Sequence, residues 1–310
     1  MKLSIVATLY QSAPYVCEFL RRSTAVAYQY SGNDYEIVLV NDGSSDSSLE
    51  LAVQWTETDS HVVVMDLSRN FGHHKAMMAG LAATCGDQIF LIDSDLEEEP
   101  EWLPQFSQQM MVDDSDVVYG VQAKRKGKLL EKFTGWMFYR IFRMLTGMPQ
   151  PDNVVTARLM TRRYVQALVS HQEREVNIGG LWISTGFRQS KQIVCKLSNS
   201  PTTYTLTKKF SHLVNAVTSF SSMPLVFIFY AGLVTSLTAA LFIAYLAIRY
   251  FFVSMPPDGY TSIVASIWFF SGLIIFFIGI QGIYVAKIFS EVKQRPYVIV
   301  RHIYRAMKGK

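Results

Sequence analysis

In "FLIDSDLEEEP", residues 90–100, an apolar run ends in five carboxylates within seven positions: Asp93, Asp95, Glu97, Glu98 and Glu99. Asp93 and Asp95, two apart at the end of a strand, can both face a hard divalent cation once the strand gives way to a loop. Mg²⁺ or Mn²⁺ takes such carboxylates together with waters and phosphate oxygens. A cation held there neutralises a diphosphate leaving group. The run before Pro100 also fits a solvated helix start, where the helix dipole favours negative charge; for Glu98 and Glu99 both readings stand.

A second acidic site lies in "IVLVNDGSSD". Gly43 allows a tight turn, and Ser44, Ser45 and Asp46 can cap the helix that follows. A plain turn does not explain Asn41 and Asp42 directly after a buried strand, where a carboxylate could accept hydrogen bonds from a base or ribose. Neither GxGxxG nor GxxxxGK[ST] occurs, which disfavours a dinucleotide-binding dehydrogenase or a P-loop enzyme.

These residues need a sheet to present them. The first 120 residues alternate strand and helix: "KLSIVATLY", "YEIVLVN", "HVVVMDLS" and "DQIFLIDSD" read as strands, and residues 13–30, 47–58 and "GHHKAMMAGLAAT" as helices. That pattern is an α/β fold with a doubly wound, mostly parallel, Rossmann-like sheet. Such sheets bind ligands beyond the carboxyl ends of their strands, so Tyr10, Asp42, Asn70 and Asp93 are expected to converge.

Half of the 310 residues are hydrophobic and 17% are charged, a low charged share for a soluble protein. The excess is concentrated in residues 224–289. Residues 224–252 carry one charge, Arg249, and residues 263–289 one, Lys287. Each run exceeds the ~20 residues that cross ~30 Å of hydrocarbon as a helix, and neither has a polar face. Two transmembrane helices are expected. Their connection, "VSMPPDGYTS", has no Lys or Arg, whereas Lys208, Lys209, Lys293, Arg295, Arg301 and Arg305 flank the pair. The positive-inside rule then puts both termini in the cytoplasm.

The expected organisation is a cytoplasmic domain over 1–220, a transmembrane hairpin over 224–289 and a basic cytoplasmic tail over 290–310. Residues 133–147 and 206–220 mix aromatic and basic side chains at helical spacing and read as interfacial helices against the lipid bilayer. No signal peptide is evident. Cys17, Cys85 and Cys195 lack metal-ligand spacing and read as thiols of a reducing compartment. Glycines in both spans permit close helix packing, which allows a homo-oligomer. Nothing points to nucleic acid.

The ordered stretches "IVLVNDGSSD", "LSRNFGHHKAMMAGL", "LIDSDLEEEPEWLPQF", "VVYGVQAKR", "RLMTRRYVQAL", "GLWISTGF" and "TTYTLTKKF" together resemble the family 2 glycosyltransferases, above all the polyprenyl-phosphate hexose synthases. The resemblance implies a GT-A fold, a nucleotide-sugar donor and a polyprenyl (undecaprenyl) phosphate acceptor. Carried over by position, it implies that Tyr10 and Asp42 contact the nucleoside, and that Asp93 and Asp95 hold diphosphate and metal. Glu97 then lies near the donor sugar, while Lys124, Arg125 and Arg158 lie near the acceptor phosphate, Arg158 on a loop. The chain departs from the family pattern twice: Glu97 stands for a glutamine, and Thr156 for an aspartate. A phosphate acceptor is already anionic, so losing a base there need not abolish transfer. The implied activity is inverting hexose transfer at the cytoplasmic membrane face, with UDP-sugar favoured over GDP-sugar and a role in cell-surface polysaccharide or O-antigen modification. The alternatives are transfer to a lipid-linked oligosaccharide or other lipid, and a catalytically silent membrane adaptor.

Overall fold

The computed structural model describes residues 2–122, 140, 153–196, 214, 217–219, 221–253 and 259–306. These fall into two compact units. The first is an eight-stranded sheet with helices on both faces. Its strands are β1 (Leu3–Leu9), β2 (Tyr35–Asn41), β3 (Val62–Leu67), β4 (Gln88–Leu91), β5 (Val117–Gln122), β6 (Val154–Thr161), β7 (Gln189–Val194) and β8 (Val300–Arg305), in the order β7-β5-β6-β4-β1-β2-β3-β8. Its helices are α1 (Val16–Ser31), α2 (Ser48–Thr58), α3 (His73–Ala83), α4 (Leu103–Asp113), α5 (Arg162–Val169) and α6 (Ile178–Ser184).

The parallel sheet expected for the first 120 residues is present: β1 pairs in parallel with β2 and β4, and β2 with β3. Every residue of β1 is buried, because helices cover both faces and leave no solvent side for polar alternation. One face packs on α1, α2 and α4 through Phe19, Phe90 and Phe106. The other packs on α3, whose Gly80 lies so close that a Cβ would meet Val6 and Val40 at 2.7 and 2.9 Å. Beyond β4 the sheet becomes mixed. β6 runs antiparallel to both β4 and β5, and β7 is parallel to β5.

Two expectations change here. Residues 290–310 are not a free tail throughout, because 300–305 form β8, antiparallel to β3. The Arg301 guanidinium meets the buried Asp66 carboxylate at 3.2 Å and donates to the Ser68 carbonyl at 2.7 Å. Arg158, expected on a loop, lies within β6.

The second unit contains α7 (Met223–Val253) and α8 (Tyr260–Val292). Among the described residues one helix is long and apolar enough to cross a membrane, over Ser266–Val292 with hydropathy 2.0. Its 27 residues span about 40 Å at ~1.5 Å each. In α7 the described residues include an apolar stretch over Met223–Thr235. Within this unit Tyr284 donates to the Ser221 carbonyl at 2.7 Å and Lys287 to the Ser219 hydroxyl at 2.7 Å. The expected interfacial segments 133–147 and 206–220, apart from isolated positions, lie outside the described residues.

Candidate active site

Strand register brings the acidic loop and β6 together. Leu91 of β4 faces Arg158 of β6 in an antiparallel pair, so two residues further on Asp93 stands level with Thr156. Asp93 is also beside α3. His73, its first residue, bridges the Thr8 hydroxyl (Nδ1, 2.9 Å) and the Asp93 carboxylate (Nε2, 3.3 Å). Burial pushes the Asp93 carboxyl up, but hydrogen bonding and charge from His73, the charge of Lys196 and the Thr156 hydroxyl hold it below the ordinary range. Asp95 is raised by burial and by the charges of Asp93 and Glu97, against the Glu97 N–H it accepts at 3.0 Å.

Leu96 takes a left-handed backbone at φ 59°, which turns the loop back on itself. Glu97 then meets the Lys196 ammonium at 3.3 Å. Glu98 is fully buried, accepting the Thr156 N–H at 2.9 Å and the Asp93 N–H at 3.4 Å. Burial and the nearby Asp93 charge push its carboxyl up to about 8. The solvated helix start considered for Glu98 is therefore overturned. Glu99 is more open, pairing with Arg22 at 3.5 Å and accepting from the Trp102 indole at 3.2 Å.

Asp42, expected at the nucleoside, is engaged by the chain itself. It is buried, and its two oxygens accept the Phe71 and Gly72 N–H groups at 2.7 and 3.0 Å. This anchors the loop that delivers His73. Gly43, at φ +61°, makes the turn possible, since a Cβ would lie 2.4 Å from the Asn70 nitrogen. Asn41 donates to Asp66 at 2.8 Å. Tyr10 is 51% exposed at the end of β1.

Arg158 is buried, its guanidinium 3.3 Å over the Trp182 ring and 5.4 Å from that of Tyr119. Burial pulls its pKa down to about 9. Trp182 is positioned through its carbonyl, which accepts from Tyr164 at 3.1 Å and Gln189 at 2.6 Å. Among the described residues the Arg158 Nε and Trp182 Nε1 donors have no hydrogen-bond partner. Both residues line a cavity of about 710 Å³, as do three neighbours of Asp93: His73, Thr156 and Lys196. Ile178, Ile183 and Phe187 supply apolar wall. Lys124 and Arg125 lie outside the described residues.

No group of three ligating side chains converges among the described residues; a divalent cation at Asp93 and Asp95 would take its remaining ligands from phosphate oxygens and water. The negative charge that raises Asp95 and Glu98 is what such an ion would offset. Sequence reasoning passed over Glu98 as a buried group and gave no role to His73, Trp182 or Lys196. His73 and Trp182 stood inside quoted stretches, whereas Lys196 carried no signal beyond its place after a strand.

The glycosyl transferase family 2 model matches residues 4–169. A Mycobacterium tuberculosis protein named among the glycosyltransferases is 49% identical over 98% of this chain and 89% of its own length. The bactoprenol glucosyl transferase of Shigella phage SfII is 28% identical, covering 98% and 99%. The undecaprenyl-phosphate 4-deoxy-4-formamido-L-arabinose transferase of Klebsiella pneumoniae is 29% identical, covering 98% and 94%. With a family model matching more than half its length and a relative 49% identical over nearly all of it, this chain belongs to glycosyl transferase family 2.

Proposed function

We propose that the protein transfers a hexose from a nucleotide sugar, UDP-linked in preference to GDP-linked, to a polyprenyl phosphate at the cytoplasmic membrane face. The observation that carries this reading is one cavity whose wall holds His73, Thr156 and Lys196 (neighbours of the acidic loop), a buried guanidinium with an unpaired Nε, and apolar side chains beside them. An anionic headgroup on an apolar chain matches that combination. Near-full-length similarity to enzymes named for bactoprenol and undecaprenyl phosphate supports it.

An acceptor phosphate oxygen bonds to the anomeric carbon as the bond from that carbon to the diphosphate breaks, inverting the centre. The phosphate is already ionised, so Thr156 in place of an aspartate leaves the nucleophile competent. Arg158 orients the acceptor phosphate through its planar donors. Asp93, held by His73 and Thr156, and Asp95 would hold Mg²⁺ or Mn²⁺. Such an ion supplies charge neutralisation of the departing diphosphate. In this reading Tyr10 covers the nucleoside and Glu97 contacts the donor sugar. Positioning and fixed charge provide most of the acceleration. The apolar helices α7 and α8 would anchor the sheet unit as a two-span hairpin, both termini cytoplasmic.

Purified protein given undecaprenyl phosphate and labelled UDP- or GDP-hexoses should yield one labelled, solvent-extractable lipid on thin-layer chromatography. Label appearing only on oligosaccharide, or on no lipid with any donor, would overturn the acceptor assignment.

A further inference from the structure

The acidic loop sets two glutamates against one ammonium. Lys196 follows β7, its side chain only 21% exposed, with Nζ 3.3 Å from Glu97 Oε2 and 3.6 Å from Glu98 Oε1. The charges of Asp93 and Asp95 act on it as well. The transfer scheme gives this lysine no task, although it lines the cavity. A buried ammonium is costly unless paired, and here the pairing partners adjoin the two aspartates that would bind metal.

We propose that Lys196 is a built-in counter-cation of the metal site: it holds the acidic loop in the unloaded protein and weakens divalent-ion binding until a diphosphate adds its own negative charge. The inference rests on the metal reading above. Before a diphosphate arrives, a second cation must enter against the repulsion of the ammonium. With diphosphate present, both cations have oxygens to neutralise. Metal and nucleotide therefore bind with positive coupling, and Lys196 sets part of it. It is a positioning residue, acting on the donor through the loop and the ion.

The test is Mn²⁺ binding by electron paramagnetic resonance, on the full chain in detergent, with and without UDP. A unit charge a few ångströms from a divalent ion changes affinity on the order of tenfold even under water-like screening. Lys196→Met should therefore bind Mn²⁺ about tenfold more tightly than wild type without UDP, and gain less when UDP is added. Lys196→Arg should behave as wild type. Without metal the methionine variant should melt at a lower temperature, and Mn²⁺ should restore it. Lys196→Gln, which keeps a polar group near Glu97, serves if the methionine variant does not fold. Unchanged or weaker Mn²⁺ affinity in the neutral variants, with wild type binding Mn²⁺, overturns the role of Lys196 and leaves the metal reading intact. Loss of UDP affinity at constant Mn²⁺ affinity makes the lysine a diphosphate ligand instead. If neither protein binds Mn²⁺ at any UDP concentration, the metal reading itself fails and takes the inference with it.

Discussion

Along β3-β2-β1-β4 the polar groups at the strand ends hold one another, while along β6-β5-β7 they face a cavity. In the first half Asp42 takes two backbone N–H groups, Asn41 takes Asp66, and Asp46 gathers Ser44, Ser48 and the Ala13 N–H. Burial raises the Asp46 carboxyl, yet those hydrogen bonds outweigh it and bring it down to about 2. In the second half the Arg158 Nε and Trp182 Nε1 are left over. A buried donor without an acceptor costs about 1–3 kcal/mol. The residues with the most recognisable spacing are thus partly scaffold, and the uncompensated Arg158 and Trp182 lie where the sheet turns mixed.

Substitutions on either side of that divide separate the two roles. Asp95→Asn, at the boundary, should have the largest effect: transfer falls about a hundredfold or more, since a neutral amide is a poor ligand for a hard cation. The melting temperature should hold, and full activity in EDTA would sink the metal assignment. Arg158→Ala should weaken polyprenyl-phosphate use roughly ten- to hundredfold, with nucleotide-sugar affinity retained and partial recovery in Arg158→Lys. Arg158→Met sharpens the point. It should lose acceptor use while gaining stability, because a buried charge with no salt bridge among the described residues is replaced by packing; normal acceptor saturation in the alanine and methionine variants would make Arg158 structural.

Asp42→Asn tests the first half. It replaces a two-oxygen acceptor with one oxygen and one donor, so urea unfolding should show a loss of about 1.5–3 kcal/mol. If instead stability holds and only UDP affinity falls, Asp42 belongs to the nucleoside site. Arg301→Ala should have the smallest effect, on the order of 1 kcal/mol, because the arginine is 60% exposed although its partner Asp66 is buried. A larger loss would mean that β8 carries more of the sheet's stability than its exposure suggests.

The parallel half of the fold was legible because continuous apolar runs such as "LSIVATL" and "YEIVLVN" end in turn residues, and local pattern decides them. β6 and β8 were not. Each pairs with a strand far away in sequence, and "VVTARLMT" and "VRHIYR" read equally as loop and tail until a neighbour satisfies their backbone groups. The same limit governed the site. Asp93 and Asp95 are adjacent and could be read together, whereas Lys196 reaches Glu97 across 99 positions. The Glu98 carboxylate stayed open between two readings because its surroundings are set by Thr156 and Lys196, distant in sequence, not by its acidic neighbours. The orphaned Arg158 Nε depends on an aromatic face supplied by α6.

β8 has a consequence for the edge of the sheet. β3 carries buried Val62, Val64 and Leu67, and without β8 its outer row of amides and carbonyls would be an open template for another strand. The final strand closes that row, and β8 itself presents Arg301 and Arg305 outward as exposed charges. A chain cut before Ile299 would therefore expose a sticky edge on a molecule whose active site was untouched. Its defect would be self-association through strand addition rather than slow chemistry.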